Sequence, residues 1–220
     1  MPLEDFTTFT ENDANSRFTV SANTIAVTLL KAEIDHNVVK DYGAAFFGDL
    51  PLGIEWDAVI NASSNNAGMH ALAMTNTPAK SYAQHRPEND DEPSFWCQFT
   101  RTSGAEDFLI IQTFGTGNVF DIGAWGATVR IYFTLTRSGT TFTLKMYSDS
   151  GRTTLTDTLA VTSISTAFQH LFAVNNPYDL LPNGPQISGD IKNYELLDGT
   201  LGLGVALMSN AMELAGGRVW

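Results

Sequence analysis

A single cysteine in 220 residues rules out any internal disulfide, so packing and hydrogen bonding must hold this chain together. Positive charge is also scarce: 12 Lys and Arg stand against 24 Asp and Glu, a formal net charge of −12. Nucleic-acid affinity comes mainly from clustered Lys and Arg, so this balance argues against a nucleic-acid partner. No apolar stretch approaches the length of a membrane span, which argues against a membrane partner. The start, MPLEDFTTF, has neither a basic region nor an apolar core, so it reads as lacking a secretory signal, with folding expected in a cytoplasm. No linker of Pro, Gly and Ser and no charge block divides the chain, and neither a long helical pattern nor a solenoid repeat is visible.

What the chain does have is core material, with 43% apolar and 11% aromatic residues. It also has two-residue alternation. In 128-TVRIYFTLTRSGTTFTLKMYSDSG-151, Val129, Ile131, Phe133 and Leu135 alternate with Arg130, Tyr132, Thr134 and Thr136. After a turn at Arg137-Ser138-Gly139 the pattern restarts with Phe142, Leu144 and Met146 against Thr141, Thr143 and Lys145. Strand side chains face alternate sides, so this is a hairpin with one buried face and one wet, Thr-rich face.

The remaining segments extend the pattern. Residues 1–16 read as an irregular lead-in whose two phenylalanines dock on the body. Strands are expected in 17–30 (Phe18/Val20, a turn at Ala22-Asn23, then Ile25/Val27/Leu29), from Tyr42 to Phe47, and in 54–61 with Ile54, Trp56, Ala58 and Ile60 on one face. Others follow at 69–76, 95–101, 108–114, 153–163, 170–175 and 187–197, with a charged, Pro-containing loop over 77–94. Eleven to thirteen short strands imply two antiparallel sheets packed face to face. The tail 198–220 is apolar and Gly-rich, carrying Leu201, Leu203, Val205, Leu207 and Trp220. Exposed apolar surface of that extent marks a contact, either back onto the body or onto a partner.

Three segments carry a family resemblance: 17-RFTVSANTIAVTLL-30 leading to 39-VKDYGAAFFGDL-50, the hairpin with 144-LKMYSDSGRTTLTDTL-159, and 187-ISGDIKNYELL-197. This pattern resembles the concanavalin A-like lectin/glucanase superfamily, which includes laminin-G-like modules and many phage virion proteins. The resemblance implies an all-β, two-sheet antiparallel jelly-roll sandwich over residues 1–197, with 198–220 as a C-terminal extension. It also implies a virion structural, decoration or adhesion protein, with other virion proteins or copies of itself as partners and polysaccharide as a ligand. The alternative is a free-standing lectin.

Glucanases of the superfamily use a Glu-x-Asp-x-(x)-Glu strand, and here 33-EIDHNVV-39 places Asn37 or Val38 where the second Glu belongs. A hydrolase lacking one essential carboxylate is inactive, so no enzyme is expected. The four histidines His36, His70, His85 and His170 lack metal-ligand spacing. The acidic run 88-ENDDE-92 could offer oxygens to calcium but lacks an EF-hand pattern, so no cofactor is expected. Cys97, Trp56 and Trp96 sit in apolar strands and read as core. The best glycan candidate is 115-GTGNVFDIGAW-125, where Asn118 and Asp121 can bind hydroxyls and Trp125 can stack on a sugar face. The competing reading is that Phe120 and Trp125 merely close one end of the sandwich.

Overall fold

A computed structural model describes residues 3–31, 36–44, 46–48, 52–65, 67–77, 94–101, 106–113, 123–124, 128–162, 167–176 and 186–198. In chain order, β1 is Thr10–Asn12, β2 Phe18–Ser21, β3 Thr24–Leu30, β4 Asn37–Asp41 and β5 Leu52–Ser63. Next come β6 Gly68–Thr75, β7 Ser94–Arg101, β8 Glu106–Thr113, β9 Gly123–Ala124 and β10 Ile131–Ser138. The series closes with β11 Thr141–Tyr147, β12 Leu155–Thr162, β13 His170–Asn175 and β14 Ile187–Asp198. The strands form two seven-stranded antiparallel sheets, β12-β11-β10-β5-β14-β3-β2 (sheet A) and β1-β4-β13-β6-β7-β8-β9 (sheet B).

Alternation does what it predicts at the centre. Ile131, Phe133 and Leu135 point inward, as do Phe142, Leu144 and Met146 across the register pairs Phe133↔Met146 and Leu135↔Leu144. Ile54, Trp56, Ala58 and Ile60 line the same interior, with the Trp56 and Phe133 rings stacked 4.9 Å apart. The lead-in docks as expected: Phe6 and Phe9 are buried, joined by a 3-10 turn that Asp5 caps through the Thr7 N–H.

Four local expectations are corrected. Tyr42–Phe47 is a turn rather than a strand; the strand is Asn37–Asp41, and Phe47 makes only an isolated bridge to Phe168. Leu29 faces solvent, because a register shift against β14 inserts an extra residue in β3 and turns Leu30 inward instead. Val129 is also exposed, since the strand begins only at Ile131. Arg137, assigned to the turn, keeps the inward parity of Leu135 and is 1% exposed. Its guanidinium donates to the carbonyls of Phe47 (2.6 Å) and Gly139 (3.0 Å) and lies 4.9 Å above the Phe142 ring.

Irregularities in three strands meet in the middle of the sandwich. Ala71 in β6 and Ala173 in β13 fall at register shifts that interrupt the ladder. Tyr194 in β14 lies at a third shift, and its hydroxyl reaches across the core to the carbonyls of Ala71 and Ala173. A bulge leaves backbone groups without ladder partners, so one phenol in sheet A satisfies what sheet B cannot. Burial pushes the Tyr194 phenol well above its ordinary range, which keeps the donating proton in place.

Asn118, Asp121 and Trp125 lie outside the described residues, as do Leu201, Leu203, Val205, Leu207 and Trp220 of the tail, Glu33 and Asp35, and the run 88–92. Strand β14 ends at Asp198, paired with Leu52.

Candidate functional site

The bulges in β6 and β13 decide which side chains reach the outer face of sheet B, the face turned away from the main core. Three register rows cross it. The first runs Asp41, His170, Thr75 and Ser94. The second runs Val39, Phe172, Ala73 and Trp96, a small apolar cluster of its own. The third runs Asn12, Asn37, Asn175, His70 and Gln98. Trp96 is therefore buried, but on the opposite side of the sheet from Trp56 and Cys97.

The second and third rows are structural. Trp96 donates its indole N–H to Ser94 Oγ at 2.7 Å, and His70 packs 4.6 Å from the Trp96 ring. Burial pushes His70 down to about 3, with Gln98 and the Asn176 backbone as its hydrogen-bond partners, so it is a neutral, satisfied core histidine. Asn12 donates to Asn37 Oδ1 at 2.8 Å. His36 likewise is held between Asp13 (3.1 Å) and Asn15 (3.2 Å).

The first row differs because it opens to solvent at Asp41. In the turn that follows β4, Asp41 Oδ1 accepts the Gly43 N–H at 2.7 Å, and both carboxylate oxygens accept from Gln169 Nε2 at 3.0 Å. These bonds, led by the one from Gly43, hold the Asp41 carboxyl below its ordinary value, so it is ionised at neutral pH. Gly43 sits at φ +91°, where a side chain would be strained, which fixes the turn chemistry. The same turn carries Phe46, 51% exposed, tilted against Tyr42 at 4.9 Å and edge-on to Phe47 at 4.9 Å. Lys40 lies 4.9 Å over the Tyr42 ring and pairs with Glu4 at 2.6 Å. Burial, and then the Glu4 charge, raise the Tyr42 phenol far above its usual range.

An exposed ring, a fixed carboxylate and a side-chain amide thus sit at one end of sheet B. At this same end the chain leaves β6 after Thr75 and β8 after Thr113. Residues 114–122, which contain Asn118 and Asp121, connect that end of β8 to β9, whose Gly123 pairs with Phe108. Sequence reasoning missed Asp41, Phe46 and Gln169. The legible signal was Asp41-Tyr42-Gly43, an Asx-turn pattern, and the Phe46-Phe47 pair, which cannot both face inward on a strand.

Other polar clusters are ties between strands. Arg130 pairs with Asp57 and, at 2.6 Å, with Asp190, while Asn193 donates to Asp57 at 2.7 Å; together they clamp β5, β10 and β14. Among the described residues no group of three His, Cys, Asp or Glu side chains could hold a metal ion, and no helix is long and apolar enough to cross a membrane. Burial raises the Cys97 thiol well above its ordinary value, as suits an inert core residue.

No family model matches the chain, and no curated protein shows significant similarity to it. Solved structures do match. A functionally unknown protein from Saccharomyces cerevisiae aligns with TM-score 0.58 and 9% identity, over 88% of this chain and 97% of that one. The exoplasmic/lumenal domain of VIP36 in a Ca2+/Man-bound form aligns with TM-score 0.54 and 10% identity, over 90% of this chain and 83% of that one. The GH43 protein BlXynB from Bacillus licheniformis aligns with TM-score 0.59 and 6% identity, over 89% of this chain but 39% of its own. At such identities the likeness concerns architecture alone. The chain is an all-β, two-sheet antiparallel jelly-roll sandwich of the concanavalin A-like kind, the architecture over which these structures align.

Proposed function

We propose that this chain is a non-enzymatic, lectin-like binding module that serves as a structural, decoration or adhesion component of a phage particle and touches glycans of the host or its surroundings. The observation that carries the glycan part is the open end of sheet B. There the exposed Phe46 ring, the ionised Asp41 and the Gln169 amide sit together at one end of the sheet. Sugars are bound by an aromatic plate against their C–H face and by carboxylate, amide and backbone groups on their hydroxyls. The protein named in one structural neighbour is Man-bound, which fits this reading.

The virion part rests on the sequence resemblance and on the apolar tail, with Leu201, Leu203, Val205, Leu207 and Trp220 docking on copies of the chain or other particle proteins. No nucleic acid, membrane or cofactor enters the proposal. A glycan array on wild type, Phe46→Ala and Trp125→Ala tests the site: binding weakened in either variant, with circular dichroism unchanged, supports it. Equal binding by all three proteins would move the site elsewhere. A mass-spectrometric inventory of purified particles separates the virion component from the free-standing lectin, since the latter is absent from particles.

A further inference from the structure

An open sheet edge presents unpaired N–H and C=O groups, and proteins blunt it by keeping the edge strand short or by placing Pro or Lys there. Three of the four edges here are short: β2 has 4 residues, β1 has 3 and β9 has 2. The fourth is not. Strand β12 runs for 8 residues, Leu155–Thr162, contains neither Pro nor Lys, and among the described residues pairs with β11 alone. Leu159 and Val161 are buried, whereas Leu155, Thr156, Thr158, Ala160 and Thr162 are exposed. Its one charge, Asp157, is turned to its own strand, where Oδ1 accepts the Thr158 N–H at 2.7 Å. Strand β12 lies against β8 of sheet B, and sheet B continues past β8 to β9. Sheet A has no described strand beyond β12, so one added there would lie over β9.

We propose that β12 of one copy receives residues 201–207 of a second copy as an added strand, joining the copies through their tails. This rests on the tail-docking reading above and names its acceptor. The segment sets Leu201, Leu203, Val205 and Leu207 against Gly202, Gly204 and Ala206, and no charged residue occurs from Gly199 to Met212. Added beside β12, that pattern turns its large side chains to the flank of Leu159 and Val161 and its small ones outward.

The chain's own edges do not suit its own tail. The tail starts where Asp198 pairs with Leu52, in a sheet ordered β12-β11-β10-β5-β14-β3-β2. A strand outside β12 would stand five spacings from β14, about 24 Å, and one outside β2 three spacings, about 14 Å. From Asp198 to Leu201 the chain extends at most about 11 Å. A crossing to either edge would therefore use up part of the alternating segment. The edges of sheet B, at 3 and 2 residues, are too short to hold it. A second copy carries no such limit. Because donor and acceptor are different surfaces, copies either close on each other or run on into a longer assembly.

The test is sedimentation velocity of the full chain over a concentration series, with Val205→Pro in the tail and Thr158→Pro in β12. An N–H held by a neighbouring side chain is not held by β11, so the second proline removes no ladder bond. Wild type is expected to assemble as concentration rises, and each variant alone to associate at least about tenfold more weakly. Mixed in equal amounts, the two variants should restore a dimer, because one keeps the edge and the other keeps the tail. A mixture that stays monomeric, or Thr158→Pro assembling as wild type does, would overturn the edge as acceptor while leaving tail docking standing. Assembly of Val205→Pro as in wild type would overturn tail docking on copies altogether. A wild type that is monomeric at every concentration would overturn exchange between copies and leave docking on another particle protein. A peptide of residues 199–210, with a photoreactive group in place of Gly204 and Val205→Pro as receiver, needs no change in β12. Its cross-links should fall within 155–162; cross-links absent or confined elsewhere would overturn the proposal.

Discussion

Replacing Tyr194 with Phe removes one oxygen atom from the middle of the sandwich and keeps the ring, its edge contacts to Phe6 at 5.3 Å and Trp56 at 5.8 Å, and its volume. What disappears is the hydroxyl shared by the Ala71 and Ala173 carbonyls, both at interruptions of the sheet B ladder. A neutral buried hydrogen bond contributes about 1 kcal/mol net, and stranding its buried acceptor costs about 1–3 kcal/mol. With two carbonyls affected, Tyr194→Phe should destabilise the chain by about 2–3 kcal/mol. For a domain of this size that is a melting temperature lower by about 4–12 °C. Thermal melts and urea titrations of wild type and variant measure it, with the half-exposed Tyr132→Phe as the control, expected within about 0.5 kcal/mol of wild type. The urea midpoint should fall while the slope stays constant, since no extra surface is exposed. A Tyr194→Phe protein as stable as the control would show that the bulge carbonyls are satisfied some other way, and that the cross-sheet phenol is incidental.

Gly189→Ala should be worse than any surface change, because a Cβ there runs into the Val59 carbonyl of the adjacent strand; a loss of more than about 2 kcal/mol is expected in urea titrations. Asp149 accepts from the backbone N–H groups of Thr154 and Thr153, and these bonds hold its carboxyl at about 2, below the ordinary 3.8. A depressed folded pKa gives stability that is complete above 3.8 and lost as pH falls toward about 2, so the difference in melting temperature between wild type and Asp149→Ala should shrink across that window. Deleting 199–220 should leave a folded sandwich, since β14 already ends at Asp198, but weaken assembly; sedimentation of both chains decides, and failure of the truncated chain to fold would place the tail in the core. Incubation with β-glucans should release no reducing ends, and release that Glu33→Gln abolishes would refute the non-enzymatic reading.

The sequence by itself determined the central strands of sheet A and their inward faces. Alternation is a local property: these strands show their buried parity through Ile54, Trp56, Ala58 and Ile60, or through Phe142, Leu144 and Met146, before any partner is known. The closing strand at 187–197 and the turn at Ala22-Asn23 were equally legible. What only the tertiary structure decided lies where parity breaks or where rows form across strands. Leu29 turned outward because a register shift against a neighbour outweighed the local pattern, while Arg137 kept the inward parity of its strand and found its partner in a carbonyl 90 residues away. Tyr194 lies within the expected strand 187–197, but its task was set by bulges in two strands of the opposite sheet. Asp41 and His170 are 129 residues apart in sequence and meet only through the β4–β13 register, so no local signal could pair them. Hydrogen-bond partners and cross-strand rows depend on which strands lie side by side. That choice belongs to the whole sheet and not to any segment of it.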